Sequence, residues 1–347
     1  MRSFMLTGIR IMEMFEVPDP IIARSTDVLV RMKVVGVCGS DIHYFLNGRI
    51  GSQVVEYPFA VGHECAGEVV ETGPGVTRVK VGDRVAIEPA MPCYVCDQCL
   101  AGRHHTCREL KFLGCPGQAP GCLSEYLVMP ETSCFPVPDG MSYDQATLSE
   151  PIAIGLYSVR QSMPVEGRTA GILGFGPIGM SVLLAAQAKK CGNIYVTDRI
   201  DERLMMADAS GAAWNGNPDR EEITGIILGH EDSGLDIVYE CCGKQEAMDQ
   251  AVELVKPGGK IVIVGIPEFD RWSFCVDNIR RKEITLLNIR RQNHALEETL
   301  ELLACREFDA DPMVTHRFPF ERADDAFRLV AAYGDGVMKA MIDFTGV

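Results

Sequence analysis

Four cysteines close together in the sequence form the pattern Cys93-x2-Cys96-x2-Cys99-x7-Cys107. Thiolates at this spacing suit a tetrahedral zinc ion, and four protein ligands leave no open position for a substrate. The quartet therefore predicts a structural zinc site. A redox-active pair is the competing interpretation, but that role needs only a single Cys-x2-Cys.

A glycine-rich segment, Gly174-Phe-Gly176-Pro-Ile-Gly179, lies between a predicted strand and a predicted helix. In that context Gly174 permits a tight turn, Gly176 lets the backbone approach a pyrophosphate, and Gly179 lets helix and strand pack closely. The free N–H groups at the helix start would receive the phosphates. The segment therefore predicts a dinucleotide site.

Asp198 ends the next predicted strand, where a carboxylate would accept hydrogen bonds from both ribose hydroxyls. Its negative charge would repel a 2′-phosphate, which favours NAD over NADP. Arg199 and Arg203 lie nearby and leave NADP open, because an arginine there accommodates that phosphate.

A second set of metal-ligand types is dispersed along the chain: Cys38 in GVCGSDIH, His63 and Glu64 in GHE, and Glu150 in SEP. Each of these elements alone is more often structural than functional. Spacing does not join residues so far apart in sequence.

The predicted secondary structure that must position these residues changes near Pro151. Before it, short segments broken by Gly and Pro predict strands and an antiparallel, barrel-like domain, with strands at Asp27–Val37, Glu64–Thr72 and Arg84–Glu88. After it, strands and helices alternate and predict a doubly wound parallel sheet. The predicted strands there are Ala170–Gly174, Asn193–Asp198, Leu235–Glu240, Lys260–Gly265 and Ile284–Ile289, and the predicted helices are Ile178–Lys190, Glu202–Ala209 and Gln245–Val255.

The chain thus divides into two predicted domains. Residues 1–152 form the first and residues 153–289 the second. The segment Arg290–Val347, with a helix at Ala295–Leu303 and a strand at Lys339–Phe344, is too short to be a domain. We expect it to return to the first domain and complete it.

Composition narrows the function classes. The 347 residues carry 33 Lys+Arg against 48 Asp+Glu, a net charge of −15, which argues against nucleic acid or an anionic membrane as a partner. No apolar run reaches the ~18 residues that span a bilayer, and the first residues are too weakly apolar for a signal peptide. We therefore expect a cytoplasmic protein, in which the 14 cysteines stay reduced.

The remaining cysteines have no ligand spacing. The pair Cys241-Cys242 is predicted to lie buried against the nucleotide. Six others are predicted to be packing residues: Cys115, Cys122, Cys134, Cys191, Cys275 and Cys305.

Taken together, these motifs resemble the zinc-containing medium-chain dehydrogenase/reductase family over essentially the whole chain. The segment Gly62–Pro89 resembles the family's signature around its catalytic metal, the cysteine quartet its structural zinc lobe, and GFGPIG its cofactor loop. The implied fold is a GroES-like β-barrel catalytic domain joined to a Rossmann domain. Four segments look most like the polyol branch, typified by sorbitol dehydrogenase: Cys38–Phe45, Arg49–Gly51, Ser149–Gly155 and Val314–Phe327.

The resemblance implies a role for each matched residue. Cys38, His63 and Glu64 would hold a catalytic zinc, which Glu150 would reach through a water or directly. Asp41 would orient His63. Ser40 and His43 would form a proton relay, and the substrate would contact Tyr44, Glu150, Arg290, Arg291 and Asn293. The cofactor would contact Gly174, Gly176, Pro177, Ile178, Gly179, Asp198, Arg203, Val264, Gly265, Ile266, Asn288, Ile289 and Arg290.

The resemblance predicts an NAD-dependent dehydrogenase with two zinc ions per chain that oxidises a small polyol, and a homo-oligomer, expected to be a tetramer. Arg291 stands where sorbitol dehydrogenases usually have tyrosine, so a more oxidised or anionic sugar derivative is also open. A threonine, butanediol or cyclitol dehydrogenase remains an alternative within the family. A catalytically silent NAD-binding sensor is the alternative from another class.

Overall fold

The computed structural model describes residues 1–346. Its strands, in chain order, are β1 (Arg2–Gly8), β2 (Ile11–Glu16), β3 (Asp27–Gly36), β4 (Arg49–Ile50), β5 (Gln53–Val54), β6 (Glu64–Thr72), β7 (Arg84–Ile87), β8 (Ala90–Met91), β9 (Lys111–Phe112), β10 (Tyr126–Pro130), β11 (Cys134–Pro136), β12 (Ala170–Leu173), β13 (Ile194–Thr197), β14 (Trp214–Gly216), β15 (Leu235–Glu240), β16 (Val255–Ile263), β17 (Thr285–Asn288), β18 (Val314–Pro319) and β19 (Lys339–Asp343).

The α-helices are α1 (Gly39–Asn47), α2 (Asp97–Leu100), α3 (Tyr143–Ser162), α4 (Pro177–Ala188), α5 (Asp201–Ala209), α6 (Ile223–His230), α7 (Gln245–Leu254), α8 (Val276–Arg281), α9 (Leu296–Ala304) and α10 (Ala323–Ala331). Short 3₁₀ turns lie at His104–Thr106, Glu131–Ser133, Asp311–Met313, Phe320–Arg322 and Gly334–Gly336. Among residues 1–346, no helix is both long and apolar enough to cross a lipid bilayer.

The chain divides into two compact units. The first comprises residues 1–150, 296–306 and 313–346, and the second residues 151–295 and 307–312. The change of unit falls inside α3, at Pro151, which has no N–H to donate along the helix. Residues 290–295 lie with the second unit, whereas the sequence places them at the start of the returning segment.

The first unit is built on a mostly antiparallel sheet of order β11-β7-β6-β3-β19-β18, with β10 also paired to β3. Along β3, Val28, Val30 and Met32 are buried while Arg31 is exposed, which is the period-two pattern of a strand with one face on the core. From Val34 to Gly36 every residue of the strand is buried, and here β6 and β19 pair with its two edges. The segment that carries Lys339 thus belongs to the first unit.

The second unit contains a six-stranded parallel sheet of order β14-β13-β12-β15-β16-β17. Its central strands β12, β13 and β15 are buried at every residue, as expected for parallel strands covered by helices on both faces. In chain order this is the doubly wound 3-2-1-4-5-6 arrangement, which places ligands at the carboxyl ends of the strands, where the order reverses. The predicted fold class is confirmed, and the predicted central strands differ from the observed ones by at most a few residues at their ends.

Candidate metal and dinucleotide sites

A cluster of three potential metal ligands lies in the first unit, where β3 pairs with β6. Cys38 is the N-cap of α1, two residues after β3 ends, and Glu64 begins β6 opposite Gly36. One ligand atom from each of Cys38, His63 and Glu64 lies within 4.8 Å of the others. Ligands ~2.0–2.3 Å from a zinc ion lie ~3.5 Å apart in a tetrahedron, so this set fits zinc. The structure therefore brings together three residues that spacing alone did not join.

Asp41 contacts the segments that carry this cluster. Its side chain is fully buried, and it accepts hydrogen bonds from the N–H of Cys38 at 3.2 Å and of Gly62 at 3.2 Å. Its Oδ1 lies 3.4 Å from Nδ1 of His63, which leaves Nε2 as the ring nitrogen for a metal. Burial lowers the pKa of His63, but the charges of Asp41 and Cys38 outweigh that effect, so the pKa is well above its ordinary value. Without metal, a proton would take the metal's place on the imidazole.

Lys339 is a member of this site that the sequence analysis missed. Its Nζ donates to both carboxylate oxygens of Glu64, at 2.8 and 2.6 Å, and to the carbonyl of Val37 at 3.2 Å, while both charged side chains are 1% exposed. Burial lowers the pKa of Lys339, but the charges of Glu64 and Cys38 raise it above its ordinary value. The ammonium group therefore balances the negative charge of the ligand set. The available signal was a single lysine in the apolar run Val337–Phe344.

Gly36 leaves the space that the Glu64 carboxylate occupies, because it has no side chain. A Cβ at this position would lie 2.4 Å from Oε2 of Glu64 and 3.3 Å from Cγ2 of Thr147. Any larger residue would push the Glu64 carboxylate away from Lys339. Glycine is therefore required here by the close approach of a side chain rather than by a turn.

Glu150, Ser40 and His43 lie around the cluster in different ways. Glu150 is buried on α3 and its charge raises the pKa of Lys339, but it is not one of the three residues whose ligand atoms converge. Ser40 donates from Oγ to Sγ of Cys38 at 3.3 Å, which is a hydrogen bond to a prospective ligand. His43 lies one turn further along α1 and is partly exposed.

Tyr44 is buried and belongs to a small polar group. Its hydroxyl lies 3.3 Å from Oε1 of Gln53 and 3.8 Å from Sγ of Cys115, and Nε2 of Gln53 donates to that sulfur at 2.8 Å. Cys115 is buried, as predicted, and it also accepts a hydrogen bond.

The cysteine quartet forms a second cluster in the loop around α2. The ligand atoms of Cys93, Cys96, Cys99 and Cys107 all lie within 4.8 Å of one another. Two sulfur pairs are 3.9 Å apart, close to the ~3.8 Å that four 2.3 Å zinc–sulfur bonds require. The N–H groups of Arg108 and Cys99 lower the pKa of Cys96 to about 6, whereas burial raises the pKa of Cys99 to about 12. The set fits a closed, structural zinc site.

The glycine loop of the second unit has the shape that the motif predicts. Gly174 has φ +94°, and a Cβ there would lie 2.6 Å from Cβ of Cys242. A Cβ on Gly179 would lie 2.1 Å from the carbonyl oxygen of Gly174, so only glycine fits. Gly176 is the N-cap of α4 and Pro177 its first residue, so the free N–H groups of the helix face the carboxyl edge of the sheet.

Asp198 fixes the same loop from the end of β13. Its Oδ2 accepts the N–H of Phe175 at 2.6 Å and its Oδ1 accepts the N–H of Ile200 at 2.9 Å. Each carboxylate oxygen has a second lone pair for a ribose hydroxyl. Arg203 is buried, and its guanidinium would be 3.3 Å from a Cβ on Gly176. These residues fit a dinucleotide.

Glu240 is a second member of this region that the sequence analysis missed. Its fully buried side chain accepts the N–H groups of Cys242 at 2.8 Å and Gly243 at 2.5 Å. Its backbone carbonyl accepts from Val264 and Gly265, at 2.8 and 2.9 Å. Burial raises the pKa of Glu240 despite these hydrogen bonds. The residue thus ties the loop after β15 to the loop after β16, which carries Val264, Gly265 and Ile266.

The predicted contact residues from the end of β17 onward lie in one segment of the second unit. Asn288 and Arg290 are exposed, and Ile289, Arg291 and Asn293 are partly exposed. Arg291 has φ +56°, an uncommon left-handed conformation for a non-glycine residue. The loop is tied to α3, since Arg160 donates to the carbonyl of His294 at 3.0 Å.

Two cysteine predictions need correction. Cys275 and Cys305 are exposed, so they are not packing residues. Cys242 follows β15 and is exposed, and Cys241 is partly exposed; that this pair lies against the nucleotide stays a prediction. Cys122 and Cys134 are buried, as predicted.

The two units match two known protein domains. Residues 24–139 match the alcohol dehydrogenase GroES-like domain, and residues 177–305 match the zinc-binding dehydrogenase domain. The chain is 36% identical to a sorbitol dehydrogenase of Bacillus subtilis over 95% of this chain and 93% of the relative. It belongs to the zinc-containing medium-chain alcohol dehydrogenase family.

Two further similarities bear on substrate and cofactor. The chain is 33% identical to an L-idonate 5-dehydrogenase of Vitis vinifera, over 91% of this chain and 88% of that one. A protein of Sinorhizobium meliloti 1021, solved with NADP bound, has the same fold with a TM-score of 0.89 and 26% identity, covering 99% of each chain. The fold alone therefore does not decide between NAD and NADP.

Proposed function

We propose that this protein oxidises a secondary alcohol of a polyol to a ketone, with zinc in the Cys38/His63/Glu64 cluster and NAD as hydride acceptor. The proposal rests on one observation: the ligand atoms of these three residues lie close together, next to the buried Asp41. The likeness to a sorbitol dehydrogenase supports a polyol as the substrate class.

The chain's own residues prepare the first unit for this chemistry. A zinc ion held there would act as a Lewis acid toward the substrate hydroxyl. Asp41 orients His63, and Lys339 balances the charge of the ligand set. The hydroxyl proton would leave through Ser40 Oγ, next to Cys38 Sγ, then the ribose of the cofactor, and then the partly exposed His43 to solvent.

In the second unit, the glycine loop and the start of α4 would bind the pyrophosphate, and Asp198 the adenosine ribose. The nicotinamide ring supplies the hydride chemistry when NAD is bound. Asp198 supports NAD over NADP, because its carboxylate would repel a 2′-phosphate. A second zinc ion in the cysteine quartet would be structural, which makes two per chain.

For the substrate, we propose contacts with Tyr44, Glu150, Arg290 and Asn293. Arg291 favours a second candidate, a sugar acid or another anionic derivative, because it places a fixed positive charge among these predicted contacts. The likeness to an L-idonate 5-dehydrogenase supports the same candidate. Rates of NAD reduction with matched polyols and sugar acids decide between the two, and replacing Arg291 by Tyr would lower only the rate with acids.

We also propose a reducing, cytoplasmic setting and a homotetramer. The first agrees with 14 cysteines that are all free in the structure. The second rests on resemblance and is tested by light scattering.

The test of the catalytic proposal compares Cys38→Ala with Cys305→Ala, a change of the same type at an exposed cysteine. We expect Cys38→Ala to lose turnover at least 1,000-fold and about one zinc per chain while still binding NADH, as for loss of a metal that does chemistry (roughly three orders of magnitude). Cys305→Ala should keep both. Normal turnover by Cys38→Ala would contradict the assignment.

A further inference from the structure

Arg199 follows Asp198 directly and is held in an ion pair. Its side chain is 70% exposed, and its Nε donates to Oδ2 of Asp219 at 2.6 Å. An arginine beside the ribose acceptor is the residue type that binds a 2′-phosphate in NADP. Here that guanidinium is already paired with the carboxylate of Asp219.

Asp219 is fixed in place by its own backbone. Its N–H donates to Oδ1 of Asn217 at 3.0 Å, and Nδ2 of the buried Asn217 donates to the carbonyl of Arg199 at 3.1 Å. The segments that carry the two charged partners are therefore linked through Asn217. Because the backbone is already set, the ion pair does not have to order two free loops.

The charges around Arg199 are predominantly negative. Asp219 raises the pKa of the Arg199 guanidinium most, and the charges of Glu246 and Asp198 add to it. Three carboxylates thus interact electrostatically with Arg199, and only that of Asp219 is hydrogen-bonded to it. A phosphate brings about two further negative charges at neutral pH.

We propose that Asp219 is a specificity-determining residue that occupies Arg199 and thereby weakens the binding of 2′-phosphorylated dinucleotides. The inference rests on the proposed dinucleotide site and assigns its preference for NAD to a pair of residues rather than to Asp198 alone. Asp219 lies 20 positions beyond Arg199 in sequence and meets it only through the turn after β14.

The test uses three variants of the zinc-loaded protein: Asp219→Asn, Arg199→Ala and the double variant. Asparagine keeps the size of Asp219 and removes its charge. Binding of NADH and NADPH is measured directly by fluorescence titration, so the readout does not depend on turnover.

We expect Asp219→Asn to bind NADPH about 5-fold more tightly, the full strength of an exposed ion pair, and NADH within 2-fold of the original. Arg199→Ala should leave NADPH binding unchanged, because Arg199 is already occupied. The double variant should lose the gain, and 0.5 M salt should reduce it.

An Asp219→Asn protein with normal NADH binding and unchanged NADPH binding would overturn the inference while leaving the proposed function intact. An equal gain in the double variant would also overturn it, because the gain would then not pass through Arg199. If the original chain bound neither nucleotide, the proposed function and the inference would both fail.

Discussion

Replacing Lys339 by Met tests whether the buried ammonium balances the proposed zinc ligands. Methionine has nearly the same length and no charge. The change leaves the Glu64 carboxylate, 1% exposed, without its cation. It also removes the donor to the carbonyl of Val37.

The geometry sets the size of the effect. With Nζ at 2.6 and 2.8 Å from the two oxygens of Glu64, the direct attraction is ~6 kcal/mol at an effective dielectric constant of ~20. Removing one partner of such a pair costs about 3–5 kcal/mol, since the remaining charge stays buried. We expect a loss of that size in the free energy of unfolding of the zinc-free protein. With zinc bound the loss should be smaller, because the metal ion offsets the charge of Glu64.

The assay is urea unfolding with and without zinc, read as a change in midpoint at constant slope. Lys33→Met is the matched control: Lys33 lies on β3 in a partly exposed pair with Glu68 at 3.4 Å, and we expect a loss below about 1 kcal/mol. The double variant Lys339→Met/Glu64→Gln removes both charges and should regain most of the stability.

A loss below about 1 kcal/mol for Lys339→Met would refute this reasoning. So would a double variant as unstable as the single one, because the cost would then not come from an uncompensated carboxylate. An equal loss of stability with and without zinc would show that bound zinc does not offset the charge of Glu64.

Two further predictions concern the second unit. Gly179→Ala should weaken NADH binding at least 10-fold, because its Cβ would lie 2.1 Å from the carbonyl oxygen of Gly174. The control is Gly229→Ala, which has open space around its Cβ and should bind NADH normally. Equal titration curves for the two variants would contradict the packing argument. Burial raises the pKa of Asp236, but its bonds, led by that from Lys256, lower it below the ordinary value. Their contribution to stability is therefore present at neutral pH and lost as pH falls below about 4. Asp236→Asn should accordingly cost about 1 kcal/mol in urea unfolding at pH 7 and progressively less toward pH 3, whereas a pH-independent cost would show that the charge is not responsible.

Local patterns were predictable from the sequence because their physics is local. The cysteine quartet converges within one loop, and the glycine motif shows its strand and helix in adjacent residues. The central strands of the second unit were recognisable as short apolar runs, since parallel strands are buried on both faces.

Long-range partners were not predictable in the same way. Lys339 meets Glu64 only because β19 returns to pair with β3, 275 residues from its partner. Asp219 and Glu240 act through turns whose geometry is not encoded in spacing. The exposure of Cys275 and Cys305 likewise depends on how short helices lie on the surface.

The central claim is that a metal ion in the first unit makes this chain a polyol dehydrogenase. The most direct measurement is NAD reduction by the zinc-loaded protein with a panel of polyols, followed by removal of the metal with a chelator and its restoration. The account predicts NADH formation with at least one secondary polyol, loss of activity with about one zinc per chain, and recovery when zinc is returned. Full activity in protein shown to lack zinc at the Cys38 cluster, or no turnover of any secondary alcohol by the zinc-loaded protein, would contradict it.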